Sequence, residues 1–127
     1  MRVDRRYTIG LNSPYDGLAF EPRRSEIRNP DGTLVFENEE VMVPSGWSQV
    51  ATDILAQKYF RKAGVPAATK AVREKGVPGW LQRRVPDTKA LDNLAEDRRF
   101  GGEKDSRQVF DRLCGCWTYW GLKEGVF

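Results

Sequence analysis

Residues 47–66, WSQVATDILAQKYFRKAGVP, decide the fold. Apolar or small residues fall at Trp47, Val50, Ala51, Ile54 and Leu55, and Tyr59 and Phe60 close the run. That is the repeating stripe of an amphipathic helix with one buried face. Pro44 and Ser45 precede it, and Ser45 is placed to cap free amides of the first turn. Gly64 suits a left-handed C-terminal cap, and Pro66 prevents simple continuation. Arg61 and Lys62 lie in the last turn, where positive charge complements the helix dipole. The spacing predicts one helix from Trp47 to Gly64, packed against a second apolar face.

That second face lies near the other end of the chain. From Ser106 to about Leu122, Val109, Phe110, Leu113, Cys116, Trp117 and Trp120 recur at helical spacing, with Asp105 or Ser106 as cap. Trp47, Val50, Ile54 and Leu55 are expected to meet Val109, Leu113 and Trp117. Gly115 interrupts this helix and costs it about 1 kcal/mol against alanine; such a glycine often admits a close backbone.

Towards the N-terminus, Asn29-Pro30-Asp31-Gly32 is a strong turn sequence. Ile27-Arg28 and Thr33–Phe36 flank it as short strands, which predicts a β-hairpin within Glu26–Val43, and Val41–Val43 reads as a further short strand. Residues 1–24 read as an extended arm in which Arg2, Arg5 and Arg6 form a basic cluster. Between the two long helices, Ala67–Lys75 reads as a second short helix and Val77–Leu81 as one further turn holding Trp80 and Leu81 inward. Thr88–Asp97 reads as a short helix with Leu91 and Leu94 inward, and Arg98–Lys104 as a flexible loop. The expected fold class is therefore mainly α with a small β-hairpin (α+β). The expected organisation is a single domain, 1–127: arm 1–24, hairpin 25–43, helical part 44–127.

Composition narrows the function. The 127 residues include no histidine and two cysteines, and the formal net charge is +3. Histidine general-base chemistry is excluded, and a protein-only zinc site lacks ligands. No apolar run approaches the ~20 residues of a membrane span, and the N-terminus lacks a signal-peptide core, so a soluble cytoplasmic location is expected. A hydrophobic fraction of 39% against 31% charged residues describes a small core, or a segment that leans on something larger.

Candidate chemistry is sparse. Cys114-Gly115-Cys116 is not the usual redox or metal spacing, and residues two apart on a helix diverge by about 200°, so the sulfurs point apart. Glu37, Glu39 and Glu40 are clustered carboxylates of the kind usually solvated. Asp53 and Glu103 are isolated carboxylates with no visible partner. Nucleic acid is not the expected partner; the alternative of a small basic nucleic-acid-binding module would use Arg5, Arg6, Arg61, Lys62, Arg83 and Arg84 with exposed aromatics, and would require Trp47, Trp117 and Trp120 to be open for base stacking. No catalytic, cofactor-binding or metal-ligating residue is expected.

Three blocks add a resemblance. SEIRNPDGTLVF at 25–36, VPSGWSQVATDILAQKYFRKAGVP at 43–66 and RQVFDRLCGCWTYWG at 107–121 resemble, in order, the N-terminal region of adenosylcobalamin-dependent (class II) ribonucleotide reductase. FGGE at 100–103 falls in the same order. The resemblance implies an enzyme that reduces ribonucleotides to deoxyribonucleotides through a cysteine thiyl radical. It implies a helical N-terminal layer that would precede a ten-stranded α/β barrel carrying the radical cysteine, the reducing pair and the acid–base residues. None of those residues transfers to this sequence. Cys114 departs from the small residue, usually alanine, that the family places there. Adenosylcobalamin would be bound by the full-length enzyme and not by this segment. The partners implied are that downstream catalytic barrel and a second subunit, with no membrane. The 127 residues alone are expected to be inactive. A stand-alone interaction module docking onto a reductase or another partner is the alternative reading.

Overall fold

The turn at Asn29–Gly32 closes a hairpin longer than its sequence advertises. A computed structural model describes residues 1–127. In it β1 (Phe20–Arg28) pairs antiparallel with β2 (Leu34–Pro44). Asn29 N–H donates to the Thr33 carbonyl at 2.8 Å, and Gly32, at φ +88°, donates to Asn29 at 2.9 Å. Asp31 accepts from Thr33 N–H at 2.8 Å, the Asx contact that this turn favours. The expected arm thus loses residues 20–24 to β1. The two expected strands 33–36 and 41–43 are one strand that runs through Glu37, Glu39 and Glu40. Only Val41 and Val43 of β2 are fully buried, so a strand with one buried end shows little alternation in sequence.

The central stretch is helical from Gln49 to Tyr59, in two registers. Helix α1 (Gln49–Ile54) is capped by Ser48, whose hydroxyl accepts from Ala51 N–H at 3.1 Å; Ser45 has no part in it. Leu55–Tyr59 widens into a π-helical turn, and Phe60 N–H donates to the Leu55 carbonyl at 3.1 Å. Five residues of α-helix would place Phe60 roughly 140° around the axis from Leu55; the wider turn brings it back to the same face. The buried residues are consequently Thr52, Leu55, Ala56 and Phe60, while Val50 is 68% and Ile54 50% exposed. The chain leaves the helix at Phe60, so Gly64 (φ +77°) serves the following loop, not a helix cap.

The region after Pro66 corrects the expected helical part. Ala67–Lys75 is not a helix. Thr69–Ala71 forms β4, paired antiparallel with β5 (Arg84–Pro86), and Val65–Pro66 forms β3, paired with β6 (Phe100–Gly101) inside the expected flexible loop. A nine-residue helix without a continuous apolar stripe is marginal on its own, whereas pairing satisfies the same backbone. The Arg84 guanidinium secures β4 by donating to the hydroxyl and carbonyl of Thr69 at 2.8 and 2.9 Å. In the turn Gly79–Leu81, Leu81 is buried and Trp80 is 79% exposed, against the expectation that both point inward. Helix α2 (Thr88–Asp92), capped by Asp87, ends before Leu94; Leu91 is buried and Leu94 is not.

Helix α3 (Ser106–Lys123) begins with a capping box, Asp105 accepting from Arg107 N–H and Gln108 accepting from Asp105 N–H. Val109 packs it on a core of Val41, Val43, Leu55, Ala56 and Phe60, with Phe36, Trp47 and Leu113 at the margin. Helix accounts for 31% of the chain and strand for 24%. The fold is therefore α+β, with three two-stranded antiparallel sheets, and not mainly α; no barrel is formed by these residues. No helix is long and apolar enough to cross a membrane.

Candidate functional site

Helix α3 stands between two concave faces. On one flank, Trp47, Ala51, Ile54, Leu55 and Tyr59 face Val109, Phe110 and Leu113 across a cleft of about 430 Å³. Every lining residue is apolar or aromatic. Trp47 meets Phe110 edge to face, ring centroids 6.0 Å apart. The expected meeting of the two helices thus occurs at Trp47 and Leu55 against Val109 and Leu113. Val50 and Trp117 stand outside it, and Ile54 reaches the cleft while remaining half exposed. The cleft is open to solvent and leaves Ile54 and Tyr59 half exposed.

The surrounding elements are held by one buried acid and one half-buried acid. Glu103, expected to be isolated, is 3% exposed and gathers three segments. It accepts from Arg61 N–H at 2.7 Å and from Arg112 Nη2 and Nε at 2.9 and 3.2 Å; Arg112 also donates to the Tyr59 carbonyl at 2.9 Å. Burial pushes the Glu103 carboxyl up, but the Arg112 and Arg61 donors outweigh it and hold the group below its ordinary range. Gly102 makes the approach possible, since a Cβ there would lie 3.0 Å from the Lys62 carbonyl oxygen. The glycine directly before an acid in FGGE was the available sequence signal. Asp53 has partners too: Ser25 Oγ donates to it at 2.8 Å and Gln49 Nε2 at 2.9 Å, tying β1 to α1. These are positioning contacts.

The other flank of α3 forms a groove of about 1170 Å³, lined by Arg61, Arg83, Arg84, Arg112, Trp80 and Trp120 among others, with Cys114, Gly115 and Cys116 on its α3 wall. Of the basic residues singled out in the sequence, Arg61, Arg83 and Arg84 come together here. Arg5 and Arg6 lie exposed near the N-terminus, and Lys62 points elsewhere, donating to the Ala56 carbonyl and lying 4.4 Å from the Phe36 ring centroid. Partial burial lowers the Lys62 pKa. Trp117 and Trp120 are 60% and 58% exposed, so the aromatics are open, while Trp47 is half-buried. Both cysteines are free, Cys114 exposed and Cys116 half-buried. Glu74, which the sequence did not single out, anchors the far end of α3 by accepting from Tyr119 Oη at 2.7 Å and from Lys123. The hydrogen bond to Glu74 raises the Tyr119 pKa and, with burial added, keeps the phenol protonated. Glu37, Glu39 and Glu40 do not converge: no three Cys, Asp or Glu side chains are grouped to hold a metal ion.

Residues 21–127 match the sequence profile of the family described as class II vitamin B12-dependent ribonucleotide reductase. Among curated proteins, the chain is 58% identical over its whole length to a vitamin B12-dependent ribonucleotide reductase of Bradyrhizobium diazoefficiens. It is 54% identical over its whole length to one of Agrobacterium fabrum. Over 104 residues, 81% of the chain, it is 33% identical to one of Streptomyces coelicolor. The chain spans about a tenth of the length of these relatives: 10%, 10% and 9% respectively.

Proposed function

The chain belongs to the class II vitamin B12-dependent ribonucleotide reductase family, and we propose on that premise that it is the non-catalytic N-terminal segment of such an enzyme. The reductase would convert ribonucleotides to deoxyribonucleotides for DNA synthesis, in the cytoplasm, through a cysteine thiyl radical generated with adenosylcobalamin. In this reading the segment is one domain that buttresses the catalytic remainder of the polypeptide. The observation that carries it is the open apolar cleft between α1 and α3 in a chain that spans a tenth of its relatives' length.

The residues of this chain do not fit the cobalamin itself. There is no histidine, no convergent set of metal-ligating side chains, and the 430 Å³ cleft is lined only by aliphatic and aromatic residues, with little to meet the amide-fringed corrin. The cofactor and the radical chemistry are assigned to the remainder. Incubation of the purified chain with adenosylcobalamin, a dithiol and ribonucleotides is expected to yield no deoxyribonucleotide, and turnover would overturn the assignment. In the full-length enzyme, Ile54→Asp is expected to depress activity at least about tenfold, because a carboxylate in a docked apolar cleft loses its hydration. Unchanged activity would show that the cleft is not covered.

A further inference from the structure

We propose that the groove on the second flank of α3 seats an acidic segment of the reductase polypeptide lying outside these 127 residues, its backbone passing over Gly115. The proposal rests on the reading of the chain as the N-terminal segment of the reductase, and it names the partner of a second face.

Gly115 supplies the first argument. It sits in mid-helix, where glycine lowers stability relative to alanine. No atom of the chain lies within 4 Å of the position its Cβ would take. No internal contact therefore accounts for it, whereas an outside backbone approaching α3 closely would. Charge supplies the second. Arg83 is exposed and forms no ion pair with the nearby Glu74, which is held by Lys123 and Tyr119. Arg84 donates only to the neutral hydroxyl and carbonyl of Thr69. Two positive charges thus face the groove without a carboxylate. Asp111, an acid on its wall, is engaged by Tyr15 Oη at 2.7 Å. Trp80 and Trp120 stand exposed on the same surface. Size supplies the third argument. At about 1170 Å³ the groove exceeds the usual ~300–1,000 Å³ of a small-molecule site and suits a polypeptide segment. Nucleic acid is disfavoured because only two of the groove's four arginines, Arg83 and Arg84, are free; Arg61 and Arg112 are paired with Glu103. The relatives, about ten times longer than the chain, contain ample polypeptide to supply the occupant.

Cys114 provides a native reporter, being exposed here and on the groove wall. The full-length reductase is alkylated with iodoacetamide under native conditions, and modification of Cys114 is followed by peptide mass spectrometry. The expected result is labelling at least about tenfold slower than in the urea-unfolded enzyme. Charge reversal by Arg83→Glu with Arg84→Glu is expected to restore fast labelling, while Arg83→Lys with Arg84→Lys keeps the protection. Fast labelling of Cys114 in a fully active enzyme would overturn the proposal and leave the N-terminal assignment standing. Protection that survives charge reversal would overturn the acidic partner. Protection abolished by nuclease, or by dilution of the enzyme, would overturn it in favour of nucleic acid or a second copy.

Discussion

Replacing Glu103 should cost the fold more than any other single polar substitution. The carboxylate is 3% exposed and accepts hydrogen bonds from Arg61 N–H and from two nitrogens of Arg112. Breaking a fully buried ion pair by removing one partner costs about 3–5 kcal/mol. Here the Arg112 and Arg61 side chains are 30% and 51% exposed, so the abandoned guanidinium groups regain part of their hydration. That discount leaves about 2 kcal/mol for Glu103→Gln, which retains an acceptor for the amide but loses the charge. For a domain of this size, 2 kcal/mol corresponds to a fall in Tm of roughly 8 °C. The pH dependence follows from linkage. The folded-state pKa of Glu103 lies below its ordinary 4.5, so its contribution is present above that value and is lost as pH falls through the folded pKa. Urea denaturation from pH 7 to pH 3 should show the wild-type advantage over Glu103→Gln shrinking towards the acid end. An advantage below about 0.5 kcal/mol at pH 7, the range of ordinary surface substitutions, would refute the reasoning. So would an advantage that grows as pH falls.

Three further outcomes follow from the packing. Phe60→Ala should lose about 3–5 kcal/mol by urea titration, whereas Val50→Ala should stay within about 0.5 kcal/mol; the reverse order would mean that the π-helical turn does not set the buried face. Gly102→Ala should destabilise the chain by about 1–3 kcal/mol, because its Cβ would press on the Lys62 carbonyl. Gly115→Ala should instead raise the stability of the 127-residue chain by up to about 1 kcal/mol in the same assay, since the space around it is open.

The parts legible in the sequence were those governed by local chemistry. Asn29–Gly32 dictates a turn whatever surrounds it, and Asp105 with Gln108 starts α3 at the expected residue. The parts that misled were those decided at long range. Apolar spacing over 47–60 fits an α-helix with Val50 and Ile54 inward, yet the π-turn at Leu55 and the partner strand β2 select Thr52, Ala56 and Phe60. Ala67–Lys75 has acceptable helix propensity, but its backbone pairs with a strand fifteen residues away, at Arg84–Pro86. Glu103 appeared isolated because its partners, Arg61 and Arg112, lie on other elements. The three family blocks were readable from residue types. The two faces of α3 were not, because their exposure depends on which side chains the fold leaves uncovered.

We propose this chain as a structural part of a reductase whose chemistry lies elsewhere. The direct measurement is deoxyribonucleotide formation, with adenosylcobalamin and dithiol, by a reductase lacking residues 1–127, assayed with and without the chain supplied in trans. The truncated enzyme is expected to fall at least about tenfold below the full-length one, the chain alone to be inert, and mixing them to restore turnover. Full activity of the truncated enzyme, or turnover by the chain alone, would contradict the proposal.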